Sequence, residues 1–437
     1  MKAAAAKVAM IGLLAIALVV PVFLIQNLVA ERQQRRDEAL KGIAEGWGQR
    51  QVLAGPYVAL PFERAWTSSL DGAERTESQV LHLPVESVAW TVSAEIGEKA
   101  RGIYKARLYG AKLQARGTLK LAARSSLEDG KSRYKWGTPR LVIGIDDPRG
   151  IRSVEPVVVG GTRHDFAPGS EEAAFPGALH VLLPGLQEKT AQSLDFSFSL
   201  ELGGSETFAI APLGADTTVS MRADWPHPSF QGRFLPAQHS IQPQGFTAEW
   251  KVSRLAAQGS TRGATNCAWP CGVINDRMVV SFIEPAGLYQ RLERASKYGF
   301  LFIGLTFAAF LLVELLARLA LHPVQYTLVG LALAMFFLLL TALSEHIAFS
   351  AAYAIAATAC VGLVSAYLVR VLGSARLGLG FGAALAALYA MLYALLKAED
   401  YSLLGGSLFL FGLLAAVMLA TRRVDWYRLT ERRASAT

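Results

Sequence analysis

The sequence predicts a mixed membrane fold: an all-α transmembrane bundle of one plus five helices, with a large antiparallel β-sandwich-like domain between the first helix and the rest. Three observations predict it. Apolar residues make up 52% of the 437 but pile up at the two ends of the chain. Both ends carry runs of about 20 residues, the length needed to cross a bilayer core of about 30 Å. Between them, apolar and polar residues alternate at period two, with Pro and Gly recurring between short stretches, the mark of strands with one buried face.

The first apolar run goes from Val8 to Ala30. Lys2 and Lys7 give it the basic start of a signal peptide, yet it continues through Pro21, Val22, Phe23, Leu24 and Ile25 into Gln26 and Asn27 without a small-residue cleavage pattern. Residues 1–30 are therefore expected to remain as an anchor, and Arg32 to Gly46 reads as a helical extension of it. Residues 31–295 form the expected β-rich domain, long enough to bury a core of their own. Leu194 to Leu202 alternate most cleanly, and Leu108 to Leu121 and Thr217 to Ala223 read similarly. No comparably long amphipathic helix interrupts these strands and no internal repeat is visible, so an antiparallel sandwich is the simplest architecture.

Five further apolar runs follow: Tyr298 to Ala317, Val324 to Leu343, Ile347 to Leu372, Leu377 to Leu396 and Ser402 to Ala420. Residues 296–421 are thus expected to form a five-helix transmembrane bundle, and residues 422–437 a basic tail. Six spans put both termini on one side. Arg318, Arg370, Arg376 and the tail residues Arg422, Arg423, Arg428, Arg432 and Arg433 share that side, whereas the other holds Lys397, offset by Glu399 and Asp400. By the positive-inside rule both termini are expected in the cytoplasm and the large domain in the periplasm, with the chain in a bacterial inner membrane and the lipid bilayer as its partner. Arg32, Arg35, Arg36 and Lys41 run against the rule, partly balanced by Glu31, Asp37 and Glu38.

The net charge of +8 does not point to nucleic acid. Residues 31–295 hold 31 Lys and Arg against 29 Asp and Glu, so six of the eight net charges lie in the membrane ends, where charge records topology. Of the three cysteines, Cys360 lies in an apolar span and reads as a small buried residue. Cys267 and Cys271 flank Ala268-Trp269-Pro270 in a loop-like stretch and pair as a local disulfide if the domain faces an oxidising compartment. Their spacing is not that of thioredoxin-like motifs, and no nearby His or Cys pair completes a metal set.

Candidate site residues fall in three places. Ser344, Glu345 and His346 form the densest polar cluster of the outer membrane face, where ionisable groups are costly and functionally suspect. In a functional reading, Glu345 and His346 meet Glu399 or Asp400 of the next outer loop in a proton-handling or metal-binding patch, incomplete without a further ligand. In the plain reading the triplet is a polar loop required by water. On the opposite side Glu314 precedes Arg318 by one turn, which suggests an intrahelical ion pair, and His322, Gln325 and Tyr326 surround the Pro323 that starts a helix. Few ionisable groups lie near the bilayer centre, which argues against a proton-coupled transporter. In the large domain, Trp225 and His227 stand in a Pro-rich loop that either lines a groove or forms a rigid corner, and Asp146 and Asp147 precede Pro148 in a turn. No catalytic motif for a nucleophilic Ser, bound phosphate or zinc is present, and no metal or cofactor is expected.

Longer strings carry a family resemblance. Trp225 to Phe230 with Gly232 and Phe234-Leu235-Pro236, Ala295 to Phe310, His322 to Tyr326, Leu343 to His346 and Val424 to Tyr427 occur in the order and spacing of the CreD family, and the chain resembles that family over nearly its full length. Cys267 and Cys271 depart from the pattern. The resemblance implies an inner-membrane component with a role in cell-envelope integrity and stress response, and it brings no catalytic residues. The resulting expectation is a non-enzymatic protein whose periplasmic domain binds a protein, glycan or lipid of the envelope. The alternative is a membrane-embedded enzyme or carrier acting on lipid-linked envelope material at the periplasmic face.

Overall fold

The computed structural model describes residues 2–67, 72–121, 127–169, 175, 177–184, 192–253, 255–256, 276–282, 287–317, 321–397 and 402–422. The chain divides into two compact units, one formed by Met1–Asp37 with Pro285–Thr437 and the other by Glu38–Glu284.

The helices are α1 Lys2–Ala17, α2 Val19–Trp47, α3 Leu288–Lys297, α4 Gly299–Ala317, α5 Pro323–Ser344, α6 Phe349–Val371, α7 Ala375–Lys397 and α8 Ser402–Thr421. Among the described residues, four helical stretches are long and apolar enough to cross a membrane: Gly12–Trp47, Pro323–Ser344, Phe349–Val371 and Ala375–Lys397. The two other expected spans coincide with α4 and α8. Arg32 to Gly46 is helical, within α2.

Small residues let these helices approach closely, as membrane helices require. A Cβ at Gly330 of α5 would collide with Leu18 and Phe307, and one at Gly378 or Gly382 of α7 would collide with Val369 or Ser365 of α6. Around these contacts Phe336 packs on Tyr389 at 4.4 Å and on Tyr353 at 5.3 Å between ring centroids. A short polar ladder joins three helices: the Tyr353 hydroxyl donates to the Tyr389 carbonyl, the Tyr389 hydroxyl to Cys360 Sγ, and the Cys360 thiol to the Ala332 carbonyl. Cys360 is buried and free, as a small residue in an apolar span should be.

The strands of the other unit are β1 Gln51–Thr67, β2 Glu74–Pro84, β3 Ser87–Arg101, β4 Tyr104–Leu121, β5 Arg133–Trp136 and β6 Arg140–Ile145. They continue as β7 Ile151–Val154, β8 Val157–Val159, β9 Thr162–His164, β10 Ala167–Pro168, β11 Leu179–Leu182 and β12 Gln192–Ser205. The last are β13 Thr207–Ala211, β14 Asp216–Ala223, β15 Ser229–Gly232, β16 Gln238–Gln242, β17 Gly245–Val252 and β18 Met278–Ser281. They form two nine-stranded sheets. The first runs β10-β11-β6-β1-β13-β18-β15, with β2 and β5 also on the long β1; the second runs β16-β17-β14-β3-β4-β12-β8-β9, with β7 also on β12.

The sheets are mixed, which corrects the expectation of a purely antiparallel fold: β1 pairs β13 and β3 pairs β14 in parallel. Period-two alternation reports which face of a strand is buried and is silent on the direction of its neighbour. The long excursions separating β1 from β13 and β3 from β14 leave room for the crossover that parallel pairing needs. The alternation itself is obeyed. Thr217, Val219, Met221 and Ala223 are buried along β14, and Phe196, Phe198, Leu200 and Leu202 along β12. One core cluster draws residues from both sheets, among them Leu53, Leu141 and Phe208 of the first and Trp90, Leu113 and Trp250 of the second.

Helix α2 ends in this unit at a dense polar junction. The Trp47 indole N–H donates to the Tyr109 carbonyl at 3.2 Å, and its ring lies 3.9 Å from Lys99 Nζ and 4.1 Å from Arg152 Cζ. Gly48 turns the chain with φ +133, and a Cβ there would meet the Gly203 carbonyl, so glycine is needed on both counts.

Candidate functional site

The Ser344–His346 triplet closes α5, and the structure separates its three side chains. Glu345 is the C-cap residue and its side chain is only 10% exposed. The Tyr289 hydroxyl of α3 donates to Glu345 Oε1 at 3.1 Å, and Arg32 of α2 places Nη1 3.7 Å from Glu345 Oε2. One carboxylate thus ties together three helices from distant parts of the sequence. Gln26, almost two turns before Arg32, adds a second tie by donating to the Ser296 carbonyl at 3.2 Å. Ser344 Oγ is buried without a hydrogen-bond partner among the described residues. His346 is exposed to the surroundings of the unit. Glu399 and Asp400, which the functional reading brings to this cluster, lie outside the described residues.

The other end of α5 is about 33 Å away, from 22 residues at 1.5 Å each. There His322, Gln325 and Tyr326 have local structural tasks. The Val324 amide donates to His322 Nδ1 at 3.4 Å and the His322 amide to Gln325 Oε1 at 3.1 Å, a capping box that satisfies donors left over at the helix start. Tyr326 is fully buried and its hydroxyl donates to Glu314 Oε2 at 2.8 Å. Its ring packs 4.6 Å from that of Phe310. Arg318, the expected partner of Glu314, lies outside the described residues. The two polar ends of α5 are therefore separate features.

In the sheet unit, the Trp225–Phe230 loop is held from several sides. Asp224 Oδ1 accepts from the Ile96 amide at 2.7 Å, and the Trp225 indole donates to the His227 carbonyl at 2.8 Å. Arg107 lies 4.3 Å from the Trp225 ring centroid, and Phe230 packs against Phe246 and Trp250. Trp225 is thereby occupied by the fold, while His227 is exposed. Cys267 and Cys271 lie outside the described residues.

Asp146 and Asp147 are not equivalent. Asp147 caps the turn Pro148–Gly150 and accepts from the Gln49 amide at 2.8 Å and from Arg149 Nε at 2.9 Å. Burial works against its ionisation, but the Arg149 side chain, the Gln49 and Arg149 amides and the guanidinium charge outweigh that and hold its carboxyl below the ordinary range. Asp146 is shifted the other way: burial raises it, Arg277 opposes, and the Asp147 charge raises it further. Behind them Gln51, with no exposed surface, donates to the carbonyls of Asp147 at 3.0 Å and Gly203 at 3.2 Å. The pair forms part of a structural junction with the start of β1. Gln51, Trp47 and Tyr289 are not marked in the sequence, since the burial of Gln51 and the positive φ of the Gly48 beside Trp47 emerge only in the fold.

The profile of the family described as inner membrane protein CreD matches residues 3–427. The inner membrane protein CreD of Escherichia coli strain K12 is 33% identical over 419 residues, covering 94% of this chain and 91% of that protein. Among solved structures, an M1 zinc metallopeptidase from Deinococcus radiodurans is similar over 49% of this chain and 53% of its own, with a TM-score of 0.23 and 9% identity. The native yeast LTA4 hydrolase covers 47% of this chain and 30% of its own, with a TM-score of 0.21 and 9% identity. Likenesses at that level carry no argument about fold or activity. The full-length match does: the chain belongs to the CreD family and is a multi-pass inner membrane protein.

Proposed function

We propose that this protein is a non-enzymatic component supporting cell-envelope integrity under stress, whose large domain binds an envelope partner while the helical bundle holds it at the membrane. In this reading residues 1–30 are the anchor, 31–295 a periplasmic domain built as a sandwich of the two mixed sheets, 296–421 a five-helix bundle and 422–437 a cytoplasmic tail. The charge asymmetry of the short loops supports both termini in the cytoplasm.

The observation that carries the non-enzymatic reading is the state of Glu345. A general acid or base needs a free face toward its substrate and a partner that tunes it. Glu345 instead has both oxygens engaged, one by Tyr289 and the other by Arg32, and its neighbour His346 is turned to the exterior. Such a carboxylate holds helices together.

Crosslinking in intact cells, followed by identification of attached proteins, glycans and lipids, tests the partner-binding reading. It expects adducts concentrated on residues 38–284. Replacement of Glu345 and His346 by alanine, at normal protein levels, separates the readings. Retained envelope function supports the tether, whereas loss of function in a stably folded His346→Ala variant supports the membrane-embedded enzyme or carrier.

A further inference from the structure

Strand register in the second sheet creates a feature that individual strands do not reveal. Arg116 of β4 pairs with Ser197 of β12, Ser197 with Val158 of β8, and Val158 with Arg163 of β9. Residues directly opposite one another share a sheet face, so the four side chains form one row across the sheet, an arginine at each end and two small residues between. Three interstrand steps of ~4.8 Å put the arginine backbones about 14 Å apart. Both guanidiniums line one cleft of about 400 Å³, and an adjoining cleft of about 550 Å³ shares Arg116, Ser197 and Val158. Among the described residues neither guanidinium has a hydrogen-bond or ion-pair partner, unlike Arg64, Arg149 or Arg233 of the same unit.

The rows on either side are polar as well. Gln114 faces Ser199, and Thr118 faces Asp195, to which its hydroxyl donates at 3.0 Å. Glu155 lines the smaller cleft. The floor therefore offers hydroxyl, amide and carboxylate groups at the flanks and, at the centre, two guanidiniums without a partner among the described residues. A guanidinium fork matches a carboxylate, and flanking hydroxyls and carboxylates match sugar hydroxyls. A peptide ligand would draw its main-chain hydrogen bonds from a sheet edge. Here the floor strands β4 and β12 are interior, with their backbone groups committed to the ladder, and the edge strand β9 is only three residues long, too short a template for an added strand.

We propose that the row Arg116–Ser197–Val158–Arg163 is a binding site for an acidic glycan, its carboxylate held between the two arginines. This rests on the reading that the large domain binds an envelope partner, and names the chemistry of that partner. The test uses the full chain purified in detergent and titrated with hexagalacturonate, with maltohexaose as the neutral probe and polyglutamate as the acidic peptide. The expected result is salt-sensitive binding of hexagalacturonate, no binding of maltohexaose, and a loss of tenfold or more in the Arg116→Gln/Arg163→Gln variant. Lys251→Gln, the loss of one positive charge three strands from β4, should bind as wild type does, and unfolding midpoints monitor folding of each variant.

Equal binding by the double variant, no hexagalacturonate binding, or preference for polyglutamate overturns the assignment. Cell crosslinking then separates the two levels. Envelope adducts that persist in the double variant sink this site and leave partner binding standing, whereas their absence from the wild type sinks both.

Discussion

Three arginines of helix α2 and two arginines of the second sheet stand in opposite states. Arg32, Arg35 and Arg36 of α2 are each within ion-pair distance of a carboxylate, Glu345, Glu31 and Asp37. Arg116 and Arg163 share a cleft and have no partner among the described residues. The difference teaches where to look for function. A guanidinium that already has its carboxylate holds structure, and a pair that has no partner among the described residues, aligned by register on one sheet, is the place to test for a partner outside the chain. Exposed arginines are ordinary in isolation; two aligned by register over a polar cleft are a more specific observation.

The largest effect is expected where a paired arginine is deprived of its partner inside the sheet unit. Asp147→Asn keeps the shape and removes the charge that gathers Gln49 and Arg149. Hydrogen bonds to charged groups contribute roughly 1.5–3 kcal/mol, so a loss of that order is expected at pH 7 in thermal or denaturant unfolding. The folded carboxyl lies below its ordinary value, so its contribution is fully present above about pH 3.9 and disappears as pH falls through the lower folded value. Wild type and variant should therefore converge on acidification through that window. Asp146, raised by burial, acts in the opposite sense, since its protonation relieves a cost. A constant gap between the two proteins from pH 7 to pH 3 would refute the linkage.

Next in size is the unpaired row. The Arg116→Gln/Arg163→Gln variant should unfold within about 0.5 kcal/mol of wild type, as surface changes away from structural contacts do, while losing tenfold or more in acidic-glycan binding. A large destabilisation would mean that the two guanidiniums have structural partners, and the contrast with α2 would fail.

Much of the architecture was legible because hydrophobic patterning is local. Runs such as Val324 to Leu343 need no partner to be recognised, and Leu194 to Leu202 announces its buried face residue by residue. Parallel pairing of β1 with β13 was not legible, since direction depends on a neighbour some 150 residues away. The site divides along the same line. Ser344 to His346 stood out as a polar triplet, but the groups that fix Glu345 come from positions 289 and 32 and leave no mark near it. Nothing in the local sequence marks Arg116 or Arg163, and their common row exists only through the register of four strands. His322 and Gln325, flagged as interaction residues, also form a helix cap whose signature, a capping side chain followed by Pro and Gln, was present in the sequence.

Smaller still is the expected effect of Tyr326→Phe, which removes the donor to Glu314 inside the bundle. Interhelical hydrogen bonds within membranes average about 0.6 kcal/mol and reach about 1.7, because a helix freed from its partner finds others. A shift in that range, measured by unfolding in detergent or bicelles, fits a structural carboxylate. Loss of envelope function in a variant of unchanged stability would instead make Glu314 a functional group and revive the reading of chemistry within the membrane.

The smallest effect sharpens the comparison within α2 itself. Arg35 and Glu31 form an i,i+4 pair at 2.6 Å with side chains 58% and 55% exposed, so Arg35→Gln should cost only about 0.3–0.5 kcal/mol and vanish into high salt. Arg32 is 3.7 Å from a carboxylate that is 10% exposed, and although the contact is longer, the partner is better shielded from water. Arg32→Gln should therefore cost more than Arg35→Gln and retain part of its effect at 0.5 M salt, because removing it leaves Glu345 with Tyr289 as its partner among the described residues. This pair of measurements also bears on the basic run that opposes the positive-inside rule after the first span. If Arg32 is held by Glu345, the outer-side position that the proposed orientation gives it follows from a tertiary contact made after insertion, and Arg32→Gln should weaken the fold without changing the side on which the domain is found. A reversal of topology on that substitution would show that the charge acts during insertion, and the orientation proposed for the large domain would have to be rebuilt from the remaining loops.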